Sequence, residues 1–357
     1  MRDLGARVPQ GVKDVLKKQY VWGVLAIVLL LAINLAKDPT YLSITVSESN
    51  GHLVGNVIDI LRAAAPIMMI AIGMCLVVAT SGIDLSVGSL MVVAGAVSME
   101  LLNGADNTVG AAAQALVLAL AIATALGFLN GFLVSVVGLQ PFISTLVMML
   151  AGRGLAKVIT GGQNTSSTND TFRWLANGYV LGVPVVFILA VLVAVVVAFV
   201  VRRSALGLMI EAIGMDPQAA RLAGINRRGL LLMVYATSGV LAGIAGVFAT
   251  ASVMTVDVSR TGYQMELDAI LAVVIGGTSL AGGKFHLSGA FVGSLLIATL
   301  DKTVVFLGVS SSATPAFKAI VIVVLCLLQS QRVRSVFRRR RRAQTGAVSE
   351  SKELVGV

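Results

Sequence analysis

The chain has 357 residues, 57% of them hydrophobic and 12% charged, with a mean hydropathy of +0.93. That much apolar surface exceeds what one water-soluble core buries, and several runs approach the roughly 20 residues that cross a bilayer; a soluble globular enzyme is excluded, and an all-α polytopic membrane protein is expected. The formal charge of +10 raises nucleic acid as a partner, but its distribution along the chain fits membrane topology and anionic lipid instead.

Residues 1–19 form a basic tail. The apolar run 20–36 follows it like a signal peptide, yet no small-x-small cleavage site comes after Leu35, Ala36 and Lys37, so it reads as a retained first helix. Ten spans are expected, at about 20–36, 64–80, 88–103, 111–137, 141–159, 183–201, 229–250, 266–281, 286–308 and 315–330. They make a transmembrane domain over 20–330, with a cytosolic loop at 202–228 and an Arg-rich tail at 331–357. An even count places both termini on one side, and the positive charges agree with that. Five lie in the N-terminal tail, five in the loop (Arg202, Arg203, Arg221, Arg227, Arg228), one at Lys284, and seven arginines with Lys352 in the C-terminal tail. The opposite side holds Lys37, Arg62, Arg173 and Arg260. Both termini are therefore expected in the cytosol, and "RRRRR" at 338–342 reads as a stop-transfer cluster rather than a nucleic-acid arm.

In chain order, the first outer segment, 37–63, reads as an irregular excursion ending in a separate interfacial helix from Val57 to Ala63. "ATSGIDLSVGS" at 79–89 then sets Asp84 between two apolar runs. Gly82 allows a break there, Asp84 is suited to cap a helix starting at Leu85 or Ser86, and Ser86 adds a second polar group. Capping, a place on a gate or substrate path, and proton coupling all remain open for this carboxylate. The outer loop 161–184 carries Trp174 and Tyr179, which suit the interface, and its Asn164-Thr165-Ser166 tripeptide is a chance-level match to a glycosylation acceptor.

The inner loop is the most informative polar stretch. Asp216 is a natural N-cap, Pro217 fits the first helical position, and Gly224 suits a left-handed C-terminal stop, which predicts a short extramembrane helix over 217–223 exposing Gln218 and Arg221. Such a helix either fits a groove on a soluble partner or merely joins two spans. The Gly-rich run 275–293 is not a phosphate-binding P-loop: with Lys284 in register, Thr278 stands where the first glycine belongs and Phe285 where the hydroxyl belongs. Its glycines suit a tight turn and close helix packing.

Little supports covalent chemistry. The two histidines, His52 and His286, fall in loops on opposite sides, and Cys75 and Cys326 lie in separate apolar runs without metal-type spacing, so no catalytic residue, metal site or cofactor is expected. Asp84, Arg153, Lys157, Glu266, Asp268, Asp301, Lys302 and Lys318 lie within or near spans, mostly at span ends, where long side chains reach toward water.

Three stretches carry a family resemblance: "GMCLVVATSGIDLSVGSLMVVAGAV" at 73–97, "EAIGMDPQAARLAGIN" at 211–226 and "LDAILAVVIGGTSLAGGKFHLSGAFVG" at 267–293. In this order they resemble the signature stretches of the monosaccharide permeases of ABC importers, the ribose, xylose, arabinose and galactofuranose branch. The run "GHLVGNVIDILRAAAPIMMIAIGM" is most similar to galactofuranose-type members, with fructose importers close. The resemblance implies a bacterial cytoplasmic-membrane permease that pairs with a second permease subunit, receives sugar from an extracytoplasmic binding protein, and docks a cytosolic ATPase through a coupling helix. That docking surface would comprise Glu211, Ala212, Gly214, Asp216, Pro217, Gln218, Arg221 and Gly224; Gly82, Asp84, Ser86 and Gly88 would form the signature or gate. Asn130, Gln140, Ser144, Thr145 and Thr237 would serve a substrate path or, equally, hydrogen bonds between packed helices. The rival reading is a secondary transporter driven by protons through Asp84, Glu266 or Asp268, which has no use for a docking helix.

Overall fold

The computed structural model describes residues 20–46, 52–310 and 312–329. The basic tails, including 338–342, lie outside the described residues. The described residues are mostly helical: α1 (Tyr20–Lys37), α2 (Asn56–Ala79), α3 (Val87–Leu102), α4 (Val109–Phe132) continued by a π turn (Leu133–Val137), α5 (Pro141–Ile159), α6 (Asp170–Asn177), α7 (Val185–Arg203), α8 (Leu206–Met215), α9 (Pro217–Leu222), α10 (Arg227–Val253), α11 (Met265–Ile275), α12 (Leu287–Phe306) and α13 (Thr314–Gln329). Three two-residue strand pairs staple the loops: β1 (Thr45–Val46) with β2 (Leu53–Val54), β3 (Thr165–Ser166) with β6 (Thr255–Val256), and β4 (Tyr179–Val180) with β5 (Val183–Pro184), all antiparallel.

The helix α2 is the hub. Nearly every residue from Ala64 to Ala79 is buried, and α10, α12, α11 and α7 pack around it. Perimeter helices behave oppositely: Val147 and Leu150 on α5 and Val195 and Phe199 on α7 are exposed, as a lipid-facing surface requires. Among the described residues six helices, α2, α4 with its π turn, α5, α7, α10 and α12, are long and apolar enough to cross a membrane. This makes the protein a multi-pass membrane protein.

Several expectations need correction. Length and hydropathy identify six candidate crossings among the described residues and do not by themselves confirm the count of ten. The run expected at 266–281 is a helix of only 11 residues, about 16 Å of rise and well short of a hydrocarbon core. It stops where α12 crosses it at backbone contact: a Cβ on Gly276 would stand 2.3 Å from the carbonyl carbon of Gly289, and only glycines allow that approach. The separate interfacial helix at 57–63 does not exist. α2 runs unbroken through Pro66 from Asn56, because the buried stretch that follows holds both parts in one packed rod. The loop at 161–184 contains an unforeseen helix, α6, whose cap is Asn169: its Oδ1 accepts from the Phe172 backbone N–H at 2.9 Å. Phe172 and Ala176 anchor α6 in the core while Trp174 stays half exposed.

Candidate functional site

The short helix α9 is held by its own ends. One carboxylate oxygen of Asp216 accepts from the backbone N–H groups of Gln218 (2.8 Å) and Ala219 (3.1 Å), Pro217 occupies the first position, and Gly224 closes the helix at φ 81° while Ile225 N–H reaches Ala220 O at 3.0 Å. Ala220 is the buried residue of α9; Gln218, Arg221 and Leu222 are exposed. A groove of about 660 Å³ runs beside it, lined by Pro217, Gln218 and Arg221, by Arg227 and Arg228 of α10, and by Gly138 after the π turn. Glu211 and Ala212 are partly buried on the preceding α8.

Gly214 ties this surface to the bundle. A Cβ there would lie 1.9 Å from the carbonyl oxygen of Ala79 and 2.4 Å from the backbone N of Gly283. Around it, Gly283 N–H donates to Ala79 O at 2.9 Å, and the Ser81 hydroxyl lies within hydrogen-bonding distance of Gly214 O (2.8 Å) and Ala281 O (3.0 Å). The C-terminal end of α8, the C-terminus of α2 and the Gly-rich loop after α11 therefore meet at one backbone junction. These are the three stretches that carried the family resemblance.

Five residues along from Ala79 sits Asp84, fully buried. Its Oδ1 accepts from the Ser86 backbone N–H (3.0 Å) and hydroxyl (2.6 Å), and its Oδ2 from the Ser238 hydroxyl on α10 (2.8 Å). The Asn130 amide on α4 donates to Ser86 Oγ at 2.8 Å, and Thr145 Oγ1 on α5 to Ile83 O at 3.0 Å. Asp84 thus closes a turn over Ser86 instead of capping a helix at Leu85 or Ser86, and α3 begins only at Val87. Gly82 lies in the non-helical stretch ahead of it. Gly88 is a second close approach, where a Cβ would lie 2.3 Å from Gly262 O; Arg153 donates to that same carbonyl at 3.0 Å.

Of the residues considered for a substrate path, Asn130, Ser144 and Thr145 are fully buried around Asp84. Gln140 is exposed at the start of α5, and Thr237 donates to Met233 O within its own helix. The structure therefore unites three of the five and leaves the other two apart. Ser81 and Ser238 escaped the sequence reading; a serine in a small-residue helix gives no local sign that its partner lies 154 residues away. His52 stacks on Tyr179 with ring centroids 4.4 Å apart, and Cys75 is buried with Sγ 3.5 Å from Thr278 Oγ1.

A second polar cluster lies between α11, α12 and α13. Lys318 Nζ meets both oxygens of Asp268 (3.2 and 3.1 Å) and Oδ1 of Asp301 (2.6 Å). Singly these read as side chains reaching for water; the structure pairs them.

Comparison with known proteins agrees with this architecture. Residues 56–328 match the family model described as "Branched-chain amino acid transport system / permease component". The chain is 48% identical to the fructose import permease protein of Bifidobacterium longum over 91% of both chains. It is 37% identical to the galactofuranose transporter permease protein of Escherichia coli K12, covering 93% of this chain and 97% of the relative. To the ribose import permease protein of the same organism it is also 37% identical, over 86% and 92% respectively. No solved structure matches.

Proposed function

The chain belongs to the permease-component family of binding-protein-dependent transport systems, and we propose that it is the membrane-spanning subunit of an ATP-driven importer of a monosaccharide, of the fructose, galactofuranose or ribose kind. In this reading both termini face the bacterial cytosol, ten helices enter the membrane, and the polar loops carrying β3 and β6 face outward, toward an extracytoplasmic sugar-binding protein. A second permease subunit completes the translocation path. The chain performs no covalent step; a partner ATPase hydrolyses ATP and docks on α9.

The observation that carries this mechanism is the junction at Gly214. A self-capped helix presents an exposed face outside the bundle, and its base is locked by backbone contact to the end of α2, five residues before a buried carboxylate joining α3 and α10 and, through Ser86, α4. Force applied to α9 has a stiff route to the helices that must part for alternating access. Asp84 acts as the knot of that route, with no part in moving protons; this separates the importer from the proton-coupled transporter. The test is co-purification from detergent of the wild-type chain and of the Gln218→Glu/Arg221→Glu double variant, with bound proteins identified by mass. A P-loop ATPase retained by wild type and lost from the variant supports the reading; ATPase bound equally by both contradicts the role given to α9.

A further inference from the structure

Between α11 and α13 the structure holds a cleft of about 550 Å³, within the range of small-molecule sites. Its walls mix apolar residues with Tyr263, Gln264, Asp268, Thr314 and Lys318. Tyr263 is 62% exposed despite its size, with the Arg153 guanidinium carbon 5.8 Å from its ring centroid. Gln264, at the turn into α11, spends no side-chain bond on capping that helix.

The ion cluster sets the chemistry. Lys318 and Asp268 are only 17% and 13% exposed. An ammonium has three protons to donate, and Lys318 directs its contacts to two oxygens of Asp268 and one of Asp301. Its donor capacity is committed, whereas each carboxylate accepts about four hydrogen bonds and retains lone pairs. Asp268 and Lys318 line the cleft, while Asp301 pairs with Lys318 outside its lining. Such a wall offers acceptors on Asp268 and no uncommitted ammonium proton for an anion. It fits a ligand rich in hydroxyl donors, uncharged, with a C–H face to lay on an aromatic ring.

We infer that the cleft between α11 and α13 is a weak contact site for a neutral monosaccharide, with Tyr263 supplying the ring face, Gln264 an amide partner, and Asp268, held by Lys318, the acceptors. This rests on the import reading above and deepens it. On the topology proposed there, the cleft lies at the outer end of α11, where sugar arrives.

The test is equilibrium dialysis of radiolabelled D-fructose, D-galactose and D-ribose, and of D-fructose 6-phosphate, against the full chain in lipid nanodiscs. Tyr263→Ala and Gln264→Ala are compared with wild type; neither residue belongs to the ion cluster, and their melting temperatures report folding. The expected result is saturable millimolar binding of at least one neutral sugar, weakened about tenfold by each substitution, with no binding of the phosphate ester. Absence of neutral-sugar binding, binding indifferent to both substitutions, or tighter binding of the phosphate ester overturns the site. ATP-driven uptake by the whole complex separates the two readings: import without variant-sensitive binding removes the cleft and leaves the importer. Sugar bound through Tyr263 and Gln264, in a chain that no ATPase drives, leaves the cleft and removes the importer.

Discussion

Gly214 and Ala79 meet backbone to backbone, so closely that a single added methyl on Gly214 would stand 1.9 Å from the Ala79 carbonyl oxygen. Neither partner of this contact is a flexible side-chain end. Gly214→Ala must therefore push α8 and α9 away from α2, at a cost of about 1–3 kcal/mol. The expected phenotype is partial uncoupling, with ATP hydrolysis by the assembled complex persisting while sugar moved per ATP falls. Measuring both rates on one preparation checks it; an unchanged ratio means the junction does not transmit force.

Asp84 yields a prediction that separates structure from proton chemistry. Asp84→Asn keeps an acceptor for Ser86, and its amide can donate to the Ser238 hydroxyl, so folding and uptake should both survive. Asp84→Ala strands the Ser86 and Ser238 donors in a buried site and should destabilise by about 1–3 kcal/mol, seen as a lower melting temperature. Abolition of uptake by Asp84→Asn in a chain with wild-type thermal stability would restore proton coupling.

Lys318 shields two carboxylates at once. Lys318→Met should destabilise by about 3–5 kcal/mol, because it leaves Asp268 and Asp301 facing each other uncompensated. Adding Asp268→Asn should recover part of the loss. The more exposed pair Lys302–Asp59, at 29% and 52% side-chain exposure, should contribute at most about 1 kcal/mol, so Lys302→Met should barely move the melting temperature.

The cap of α9 should matter locally. Asp216→Ala removes both first-turn hydrogen bonds and should cost about 1 kcal/mol of helix stability. Affinity for the ATPase should fall with little change in the melting of the whole bundle, which titration of the nanodisc-held permease with the ATPase would read.

Local signals served α9 well: Asp216, Pro217 and Gly224 act within one or two turns, and the structure places the helix one residue shorter than its expected end. The buried charge at Asp84 was also evident as a break between apolar runs. Its partners were not, because Ser238 and Asn130 come from helices whose approach depends on the packing of α10 against α3 and α4. The same limit explains α11. Gly276 and Gly277 follow Ile275 directly, and the crossing of Gly276 on Gly289 fixes the end of the helix there, short of the expected 281. Likewise, hydropathy placed the start of a span near Ala64, whereas α2 begins at Asn56, since nothing in the apolar pattern reveals that a helix continues through a less apolar turn and a proline.

The most direct test of the importer reading is uptake of labelled D-fructose into proteoliposomes containing this chain, its co-purified ATPase and the binding protein, with ATP supplied on the α9 side. Uptake that requires ATP, persists when the proton gradient is collapsed, and is lost in Gln218→Glu/Arg221→Glu is the predicted result. Uptake that follows the proton gradient, and is indifferent to both ATP and the two reversals, would contradict it.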